Sequence, residues 1–126
     1  MILDTTFLID LQREFRKEVE GPARKFLFQL PGVRFQISVI TASEFLEGFD
    51  PQEEGEPFIR NLPWIPVDAA IGRKVAIYRR SLRLNGQMIG DFDLLIGATA
   101  AVLRLPLVTA NPEHFRRLDG LDVVTY

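Results

Sequence analysis

The sequence predicts an α/β domain in which helices cover both faces of a mostly parallel sheet of about five strands, a three-layer α/β/α arrangement. Short apolar runs typical of buried strands alternate along the chain with longer segments of helical periodicity. Hydrophobic residues make up 47% of the 126 residues and charged residues 25%, which is ordinary globular composition and too apolar for a disordered chain. Because a chain of this length fits one hydrophobic core, we expect residues 1–126 to form a single domain.

Each predicted element is a run of apolar residues bounded by polar residues, glycine or proline. In chain order the elements are a strand at 1–3, a helix carrying Phe7, Leu8 and Leu11, a helix at 23–30, a strand at 34–39, a helix beginning at Thr41-Ala42-Ser43-Glu44, a strand at 64–67, a helix at 68–84, a helix at 91–103, a strand at 105–108, a short helix at 112–118 and a strand at 123–124. The acidic segment at 50–57 is rich in Pro and Gly, which predicts an exposed loop.

The cysteine and histidine counts limit the chemistry that the protein can perform. The chain has no cysteine, which excludes a disulfide framework, a thiol nucleophile, a zinc ribbon and an iron–sulfur cluster. Its single histidine, His114, excludes a mechanism that uses two imidazoles and any metal site built from several histidines. Carboxylates, hydroxyls, amides and arginines remain as the groups available for catalysis.

The net charge is close to neutral, and the chain has no long apolar run. With 15 basic and 17 acidic residues, the chain lacks the basic excess of a duplex-binding protein, so contact with nucleic acid would be local. Arg79, Arg80 and Arg83 are candidates for such contact because arginine suits bidentate binding of phosphate; the alternative is an ordinary solvated helix face. No segment approaches the roughly 20 apolar residues of a membrane helix, and we expect a soluble, cytoplasmic protein.

Several polar residues stand where parallel α/β sheets bind their ligands, at the carboxyl ends of predicted strands. They are Asp4 after the first strand, Glu44 just inside the helix after the second, Asp91 and Asp93 at the start of the helix before the fourth, and Thr109 and Asn111 after the fourth. Carboxylates that meet at one edge repel each other, which raises their pKa values unless a cation offsets the repulsion. Mg²⁺ or Mn²⁺ prefers such an all-oxygen set and keeps waters that can attack a phosphodiester. The pattern therefore favours a metal-dependent phosphodiesterase.

The first two acidic positions also have a purely structural interpretation. Asp4 is a preferred residue at a helix N-cap, so it could simply cap the first helix. Thr41 and Glu44 match a capping box, in which the glutamate folds back onto the start of its own helix. Both interpretations stay open on the sequence alone.

The later positions have structural interpretations as well. Asp91 is an equally good cap, and Asp91 and Asp93 cannot point the same way from one regular helix, so we expect only one of them to hold a metal. Asn111-Pro112 is an ordinary turn and helix start. We expect His114 to lie at the surface or pack locally and not to bind a ligand.

Four segments in order form a pattern more specific than any one of them. They are Met1-Ile-Leu-Asp-Thr-Thr-Phe-Leu-Ile-Asp10, Ser38-Val-Ile-Thr-Ala-Ser-Glu-Phe-Leu-Glu-Gly48, Asp91-Phe-Asp-Leu-Leu-Ile-Gly-Ala-Thr-Ala100 and Leu107-Val-Thr-Ala-Asn-Pro-Glu-His-Phe115. This succession resembles the motifs of PIN domains and, more narrowly, those of the VapC toxins of type II toxin–antitoxin modules. The resemblance spans nearly the whole chain.

The resemblance implies a Mg²⁺- or Mn²⁺-dependent endoribonuclease that acts on tRNA or other translation-related RNA. The three acidic positions of the family fall on Asp4, Glu44 and Asp93. In the implied mechanism Asp4 and Asp93 hold the metal, and Glu44 contributes to the metal site or deprotonates the attacking water. Asp91 is a further acid close by that could take the place of Asp93.

Three other positions are implied to orient groups at the site by hydrogen bonds. Thr6 matches a small hydroxyl residue two places after the first acid, and Thr109 lies in the fourth motif. Asn111 stands where many members have an aspartate, so this chain brings one negative charge fewer to a second metal. Glu113, two residues later, is not expected to replace it.

The resemblance also implies partners. A VapB-like antitoxin would hold the enzyme inactive, binding as a partly disordered segment in an apolar groove to which the ten phenylalanines could contribute. The toxin itself would form a homodimer, which could assemble further with the antitoxin. Arg79, Arg80 and Arg83 would offset the repulsion between RNA and the acidic edge.

Two other functions compete with this one. A receiver-like signalling domain has a similar length, but it needs an acidic pair after strand one, where this chain has Thr5 and Thr6 beside Asp4. It also needs a lysine after strand five, and no lysine follows Lys74. A PIN-like module that binds RNA or a partner without cleaving it is favoured only by Asn111.

Overall fold

A parallel sheet lies between two layers of helices in the computed structural model, which describes residues 1–126. The elements in chain order are β1 (Ile2–Leu3), α1 (Thr5–Arg16), α2 (Pro22–Phe28), β2 (Ile37–Ser38), α3 (Val39–Glu47), a 3₁₀ turn (Gln52–Gly55), α4 (Glu56–Ile59), β3 (Trp64–Ile65), α5 (Ala69–Leu84), α6 (Asp91–Leu103), β4 (Leu107–Val108), α7 (Pro112–Phe115) and β5 (Val123–Val124). None of the helices is both long enough and apolar enough to cross a membrane.

The strands run in the spatial order β3-β2-β1-β4-β5. β1 pairs in parallel with β4, and β4 with β5, while β2 pairs in parallel with β3. A parallel bridge between Ile2 and Gln36 joins the two groups, and the Leu3 N–H donates to the Gln36 carbonyl at 2.9 Å. From β1 the chain builds the sheet first toward β3 and then, from β4 onward, in the opposite direction. The sheet order therefore reverses between β1 and β4, and such a reversal opens a crevice at the carboxyl ends of the two strands.

Both faces of the sheet are buried because alternate strand residues point into different cores. Ile2 and Leu107 belong to one core with side chains of α5 and α6, including Ile71, Tyr78, Leu82 and Leu94. Leu3 and Val108, the next residues of the same two strands, belong to a second core with side chains of α1 and α3, including Phe7, Leu8, Ala42 and Phe45. The three-layer α/β prediction is confirmed.

Most predicted elements exist, but some boundaries differ. The helices predicted at 68–84 and 91–103 match α5 and α6, and Asp68 caps α5 by accepting from the Ile71 N–H at 2.9 Å. The strand predicted at 34–39 is reduced to Ile37–Ser38, preceded by the single bridge at Gln36. Ser38 ends it, because its hydroxyl accepts from the Ile40 N–H at 3.1 Å and starts α3 at Val39.

The segment 50–57, predicted to be an exposed loop, is exposed at every residue except Gly55, but part of it has regular structure. The segment contains the 3₁₀ turn and the start of α4. Pro57 lies in the first turn of α4, where proline is favoured, and Ile59 is completely buried and anchors the helix. Gly55 is also buried, and a Cβ there would lie 2.7 Å from the Phe49 ring. Proline and glycine thus shape a tightly packed turn here.

Candidate active site

Asp4 lies at the point where the sheet order reverses. Its backbone N–H donates to the Val108 carbonyl at 3.0 Å, which fixes it between the ends of β1 and β4. The residue is only 3% exposed. A buried carboxylate at the carboxyl edge of a parallel sheet matches the usual ligand-binding position of this architecture.

Two threonine hydroxyls bind the same oxygen of Asp4. Thr6 Oγ1 donates to Asp4 Oδ2 at 2.8 Å and Thr109 Oγ1 at 2.7 Å. Each hydroxyl has one proton, so both donate to the carboxylate and accept from elsewhere. The Ala110 N–H donates to Thr6 Oγ1 and the Asn111 N–H to Thr109 Oγ1, both at 3.0 Å. This network attaches the loop after β4 to the start of α1.

The capping interpretation of Asp4 is wrong, although the residue does occupy the N-cap position of α1. Its side chain makes no capping hydrogen bond to that helix and is held by the two threonines instead. Burial raises the pKa of the Asp4 carboxyl, the hydroxyls of Thr109 and Thr6 partly offset this rise, and the negative charge of Asp93 adds to it.

Glu44 reaches the same edge from α3. Because Ser38 starts the helix at Val39, Glu44 lies well inside α3, and the capping box predicted for Thr41 and Glu44 does not form. Glu44 Oε2 instead accepts a short hydrogen bond from the Thr5 hydroxyl. Partial burial raises the pKa of Glu44, the Thr5 hydrogen bond opposes the rise, and the charges of Asp4 and Asp93 increase it.

Asp93 and Asp91 have separate partners. Asp93 Oδ2 lies 2.8 Å from Nδ1 of His114, and because an ionised carboxylate can only accept, the imidazole donates. Asp91 is mostly exposed and lies 3.5 Å from Arg79. The N-cap of α6 is Gly90, so the prediction that Asp91 caps this helix is wrong. Asp93, not Asp91, acts electrostatically on Asp4.

The three acids Asp4, Glu44 and Asp93 have the donor chemistry of a hard-cation site. No group of three or more His, Asp and Glu side chains is arranged so that it could hold one metal ion in this conformation. The negative charge of Asp93 nevertheless helps to raise the pKa of both Asp4 and Glu44, and the charge of Asp4 helps to raise that of Glu44, which is consistent with three neighbouring carboxylates. Oxygen donors whose mutual repulsion is unrelieved fit Mg²⁺ or Mn²⁺.

The remaining predicted site residues differ in what they contact. The side chain of Asn111 is exposed and makes no hydrogen bond, although its backbone N–H binds Thr109. Glu113 is exposed in the first turn of α7. Arg79, Arg80 and Arg83 line one groove of about 550 Å³ on α5 with Ala76 and Leu84. The three arginines share this surface, and their binding of RNA stays a prediction.

Two residues of the site were missed by the sequence interpretation. Thr5 directly follows Asp4 and had no predicted role at the site, yet its hydroxyl donates to Glu44. His114, predicted to lie at the surface or pack locally, is partly exposed and contacts Asp93, a contact that the sequence analysis did not predict. The signal for His114 was its place on a short helix directly after β4, at the same sheet edge as the acids. Both contacts join residues far apart in the chain, so periodicity could not reveal them.

Thr109→Val tests the hydrogen-bond network around Asp4. Valine has a similar shape but neither donates to Asp4 nor accepts from the Asn111 N–H, so we expect the free energy of unfolding to fall by about 1–3 kcal/mol. Urea denaturation measures this change. Thr109→Ser keeps the hydroxyl and is expected to retain most of the stability. Equal losses in the two variants would contradict the role of the hydroxyl.

The fold and the site thus define an α/β domain in which buried Asp4 and the partly exposed Glu44 and Asp93 stand at the point where the sheet order reverses. The family model that describes the PIN domain matches residues 1–121. Ribonuclease VapC1 of Methanocaldococcus jannaschii is 30% identical over 130 aligned positions, covering 100% of this chain and 86% of that protein. The tRNA(fMet)-specific endonuclease VapC of Shigella flexneri is 28% identical over 101 positions, covering 75% and 76%. The structure of DNA-bound VapBC from Salmonella typhimurium has a TM-score of 0.81 at 25% identity, covering 98% of this chain and 96% of that one.

The chain therefore belongs to the PIN domain family. Its relatives in that family include ribonucleases of the VapC type. Asp4, Glu44 and Asp93, the acidic positions that the motif resemblance assigns, influence one another electrostatically at this edge, and their catalytic role stays a prediction.

Proposed function

We propose that the protein is a Mg²⁺- or Mn²⁺-dependent endoribonuclease of the VapC type. The observation that carries the proposal is the meeting of Asp4, Glu44 and Asp93, from three separate segments, at the point where the sheet order reverses. Such a cluster is unfavourable for stability and is suited to binding a cation together with a phosphodiester. The similarity to VapC ribonucleases supports RNA as the substrate.

Asp4 and Asp93 would hold the metal, with Glu44 close to them. The bound ion would supply positive charge at the scissile phosphate and lower the pKa of a water that it binds. Thr6 and Thr109 hold one oxygen of Asp4, which fixes the orientation of this carboxylate. His114 does the same for Asp93, because its Nδ1–H occupies Oδ2. These second contacts keep the acids in place before a substrate arrives.

Glu44 is the candidate general base. Its Oε2 is occupied by the Thr5 hydroxyl, and the other oxygen makes no hydrogen bond, so it can take the proton of an attacking water. The raised pKa of Glu44 favours this role, since a base works best with a pKa nearer to the working pH. Asp4 and Asp93 also have one hydrogen-bonded oxygen each, but both are proposed to hold the metal, which leaves Glu44 for the water.

We also propose an RNA target, an RNA-binding surface and protein partners. A tRNA or another translation-related RNA is the proposed target, as the name of the Shigella flexneri relative states for that protein. Arg79, Arg80 and Arg83 are proposed to bind RNA phosphates beside the acidic edge. A VapB-like antitoxin is the proposed inhibitor, in line with the VapBC assembly of the Salmonella typhimurium neighbour, and the active toxin is proposed to be a cytoplasmic homodimer.

Cleavage of a total RNA pool tests the proposal. Purified protein is incubated with Mg²⁺, with Mn²⁺ or with EDTA, beside the variant Asp93→Asn and the exposed control Asp119→Asn. We expect discrete products with either metal for the wild type and the control, and none with EDTA or for Asp93→Asn. If folded wild-type protein gives no products with either metal, the nuclease proposal is wrong. The protein would then be a module that binds RNA without cleaving it, and the missing negative charge at Asn111 would explain the lack of activity.

A further inference from the structure

A groove between α1 and α3 begins at Glu44 and has no part in the mechanism described so far. Its volume is about 380 Å³, with Gln12, Arg13 and Arg16 on the α1 wall and, opposite them, Phe45 of α3 and Phe49 just beyond the end of that helix. A smaller cavity of about 280 Å³, lined by Arg13, Arg16 and Lys17, continues it along α1. We call the two cavities together the α1–α3 groove. The groove therefore has Glu44, the proposed general base, at one end and only basic side chains at the other.

The cations of the α1 wall are free to bind an anion. Arg16 and Lys17 have no carboxylate within 4.0 Å, while Arg13 lies 3.6 Å from Asp10 with its own side chain 67% exposed. An exposed pair of this kind contributes little and exchanges readily for another anion. Arginine also binds phosphate in a bidentate way that lysine cannot.

The opposite walls of the groove have different chemistry. Phe49 is half-buried and is held by the Phe45 ring at 5.1 Å and the Phe58 ring at 6.1 Å. The remaining rim carries Asp50 and Glu54, which repel phosphate. A polyanionic strand would therefore keep its phosphates on the α1 wall, and its bases would face the fixed aromatic ring, as in proteins that bind single strands.

An endonuclease must hold its substrate on both sides of the bond it cuts. The groove of Arg79, Arg80 and Arg83 belongs to the α5 layer and meets the site through Asp91, whereas the α1–α3 groove belongs to the opposite layer and meets it through Glu44. The acidic edge lies between them. Arg13 is eight residues from Thr5 at the start of α1, or about 12 Å along the helix axis, which is close enough for phosphates adjacent to the scissile one.

We propose that the α1–α3 groove binds the single-stranded RNA that flanks the scissile phosphate on the α1 side. Arg13 and Arg16 bind its phosphates, and a base stacks on Phe49. The proposal rests on the ribonuclease function and assigns it a second substrate-binding surface. RNA is the expected occupant because the basic α1 wall leads directly to Glu44, the residue proposed to act as the base in RNA cleavage.

Salt-dependent binding tests this assignment. A short fluorescein-labelled RNA of random sequence is titrated against Asp4→Asn protein, which binds without cleaving, and fluorescence anisotropy is followed over a range of salt concentrations. Adding Arg13→Ala and Arg16→Ala removes two phosphate contacts, so the slope of log K against log salt should fall in magnitude by about 1.4. The pair Arg13→Lys and Arg16→Lys keeps both charges and should keep most of the slope.

Two exposed arginines at the other edge of the sheet provide the matched control. Arg34→Ala with Arg104→Ala changes the net charge equally, and we expect the slope to stay unchanged. An equal fall in the two double variants would mean that the effect is one of net charge alone, and the assignment would be wrong. Failure of the Asp4→Asn background itself to bind the RNA would instead contradict the proposed function.

Cleavage by otherwise wild-type enzyme gives the second readout. Loss of flanking contacts should raise KM several-fold with a smaller change in kcat, because the two arginines do not touch the reacting atoms. Unchanged KM would overturn the proposal. So would a double variant that cleaves normally but escapes inhibition by a co-expressed antitoxin, since the groove would then be a protein-docking surface.

Discussion

Asp4→Asn is expected to abolish RNA cleavage and, at the same time, to stabilise the fold. The cleavage rate should fall by at least about 100-fold, because the carboxylate at the centre of the charge-stabilising cluster is lost. The amide oxygen of asparagine can still accept the hydroxyl protons of Thr6 and Thr109, and no capping hydrogen bond is lost because the Asp4 side chain makes none. The loss therefore reports on charge, not on a disrupted fold.

The expected gain in stability follows from the sign of the pKa shift. Burial raises the pKa of Asp4 in the folded protein, so ionised Asp4 disfavours folding at every pH above this raised value. The unfavourable contribution disappears as pH falls below the pKa of the unfolded chain, where Asp4 is protonated in both states. Asp4→Asn should thus melt at a higher Tm than wild type near neutral pH, with the difference vanishing in acid.

Thermal melts with EDTA and with Mg²⁺ separate charge relief from metal binding. In EDTA the variant should be the more stable protein. Mg²⁺ should raise the Tm of the wild type, because an ion that binds only the folded state stabilises it, and should raise that of the variant less. The control Asp119→Asn removes an exposed carboxylate and should leave both results unchanged. A lower Tm of Asp4→Asn than of wild type in EDTA would contradict the inference that the ionised carboxylate of Asp4 destabilises the folded protein.

The order of strands and helices could be predicted from the sequence because it depends on local patterns. Paired apolar residues such as Ile2 and Leu3 predict a strand buried on both faces, and the structure places them in two different cores. The boundary errors arose where a single side chain overrides the pattern. The Ser38 hydroxyl turns the predicted strand end into the start of α3, and buried Ile59 makes a helix of a segment whose composition indicates a loop.

The acidic positions of the site were also accessible to sequence reasoning, since they follow strand ends. Their partners were not, because each partner lies in a different segment. The hydrogen bonds from Thr109 to Asp4 and from Thr5 to Glu44 join residues 105 and 39 positions apart. The choice between Asp91 and Asp93 likewise depended on the positions of Arg79 and His114, which no spacing within α6 could indicate.

Glu44→Gln is expected to lower the rate of cleavage by about 100- to 10,000-fold, the usual contribution of a general base. Because the wild-type pKa of Glu44 is raised, the rise of the wild-type rate with pH should lie at higher pH than an ordinary glutamate would give. The residual rate of Glu44→Gln should lack the part of this increase that comes from Glu44. Single-turnover rates across a pH series measure both effects.

Glu47→Gln tests whether the rise of the cleavage rate at low pH, the acidic limb of the profile, reflects the titration of Glu44. The negative charge of Glu47, three residues further along α3, is one of the causes that raise the pKa of Glu44, whereas it is not among the causes for Asp4. Removing this charge should move the acidic limb to lower pH and leave the rate on the plateau almost unchanged, because Glu47 is exposed and contacts no other site residue. A limb that does not move would assign the titration to Asp4, and Glu44 would then not be the base.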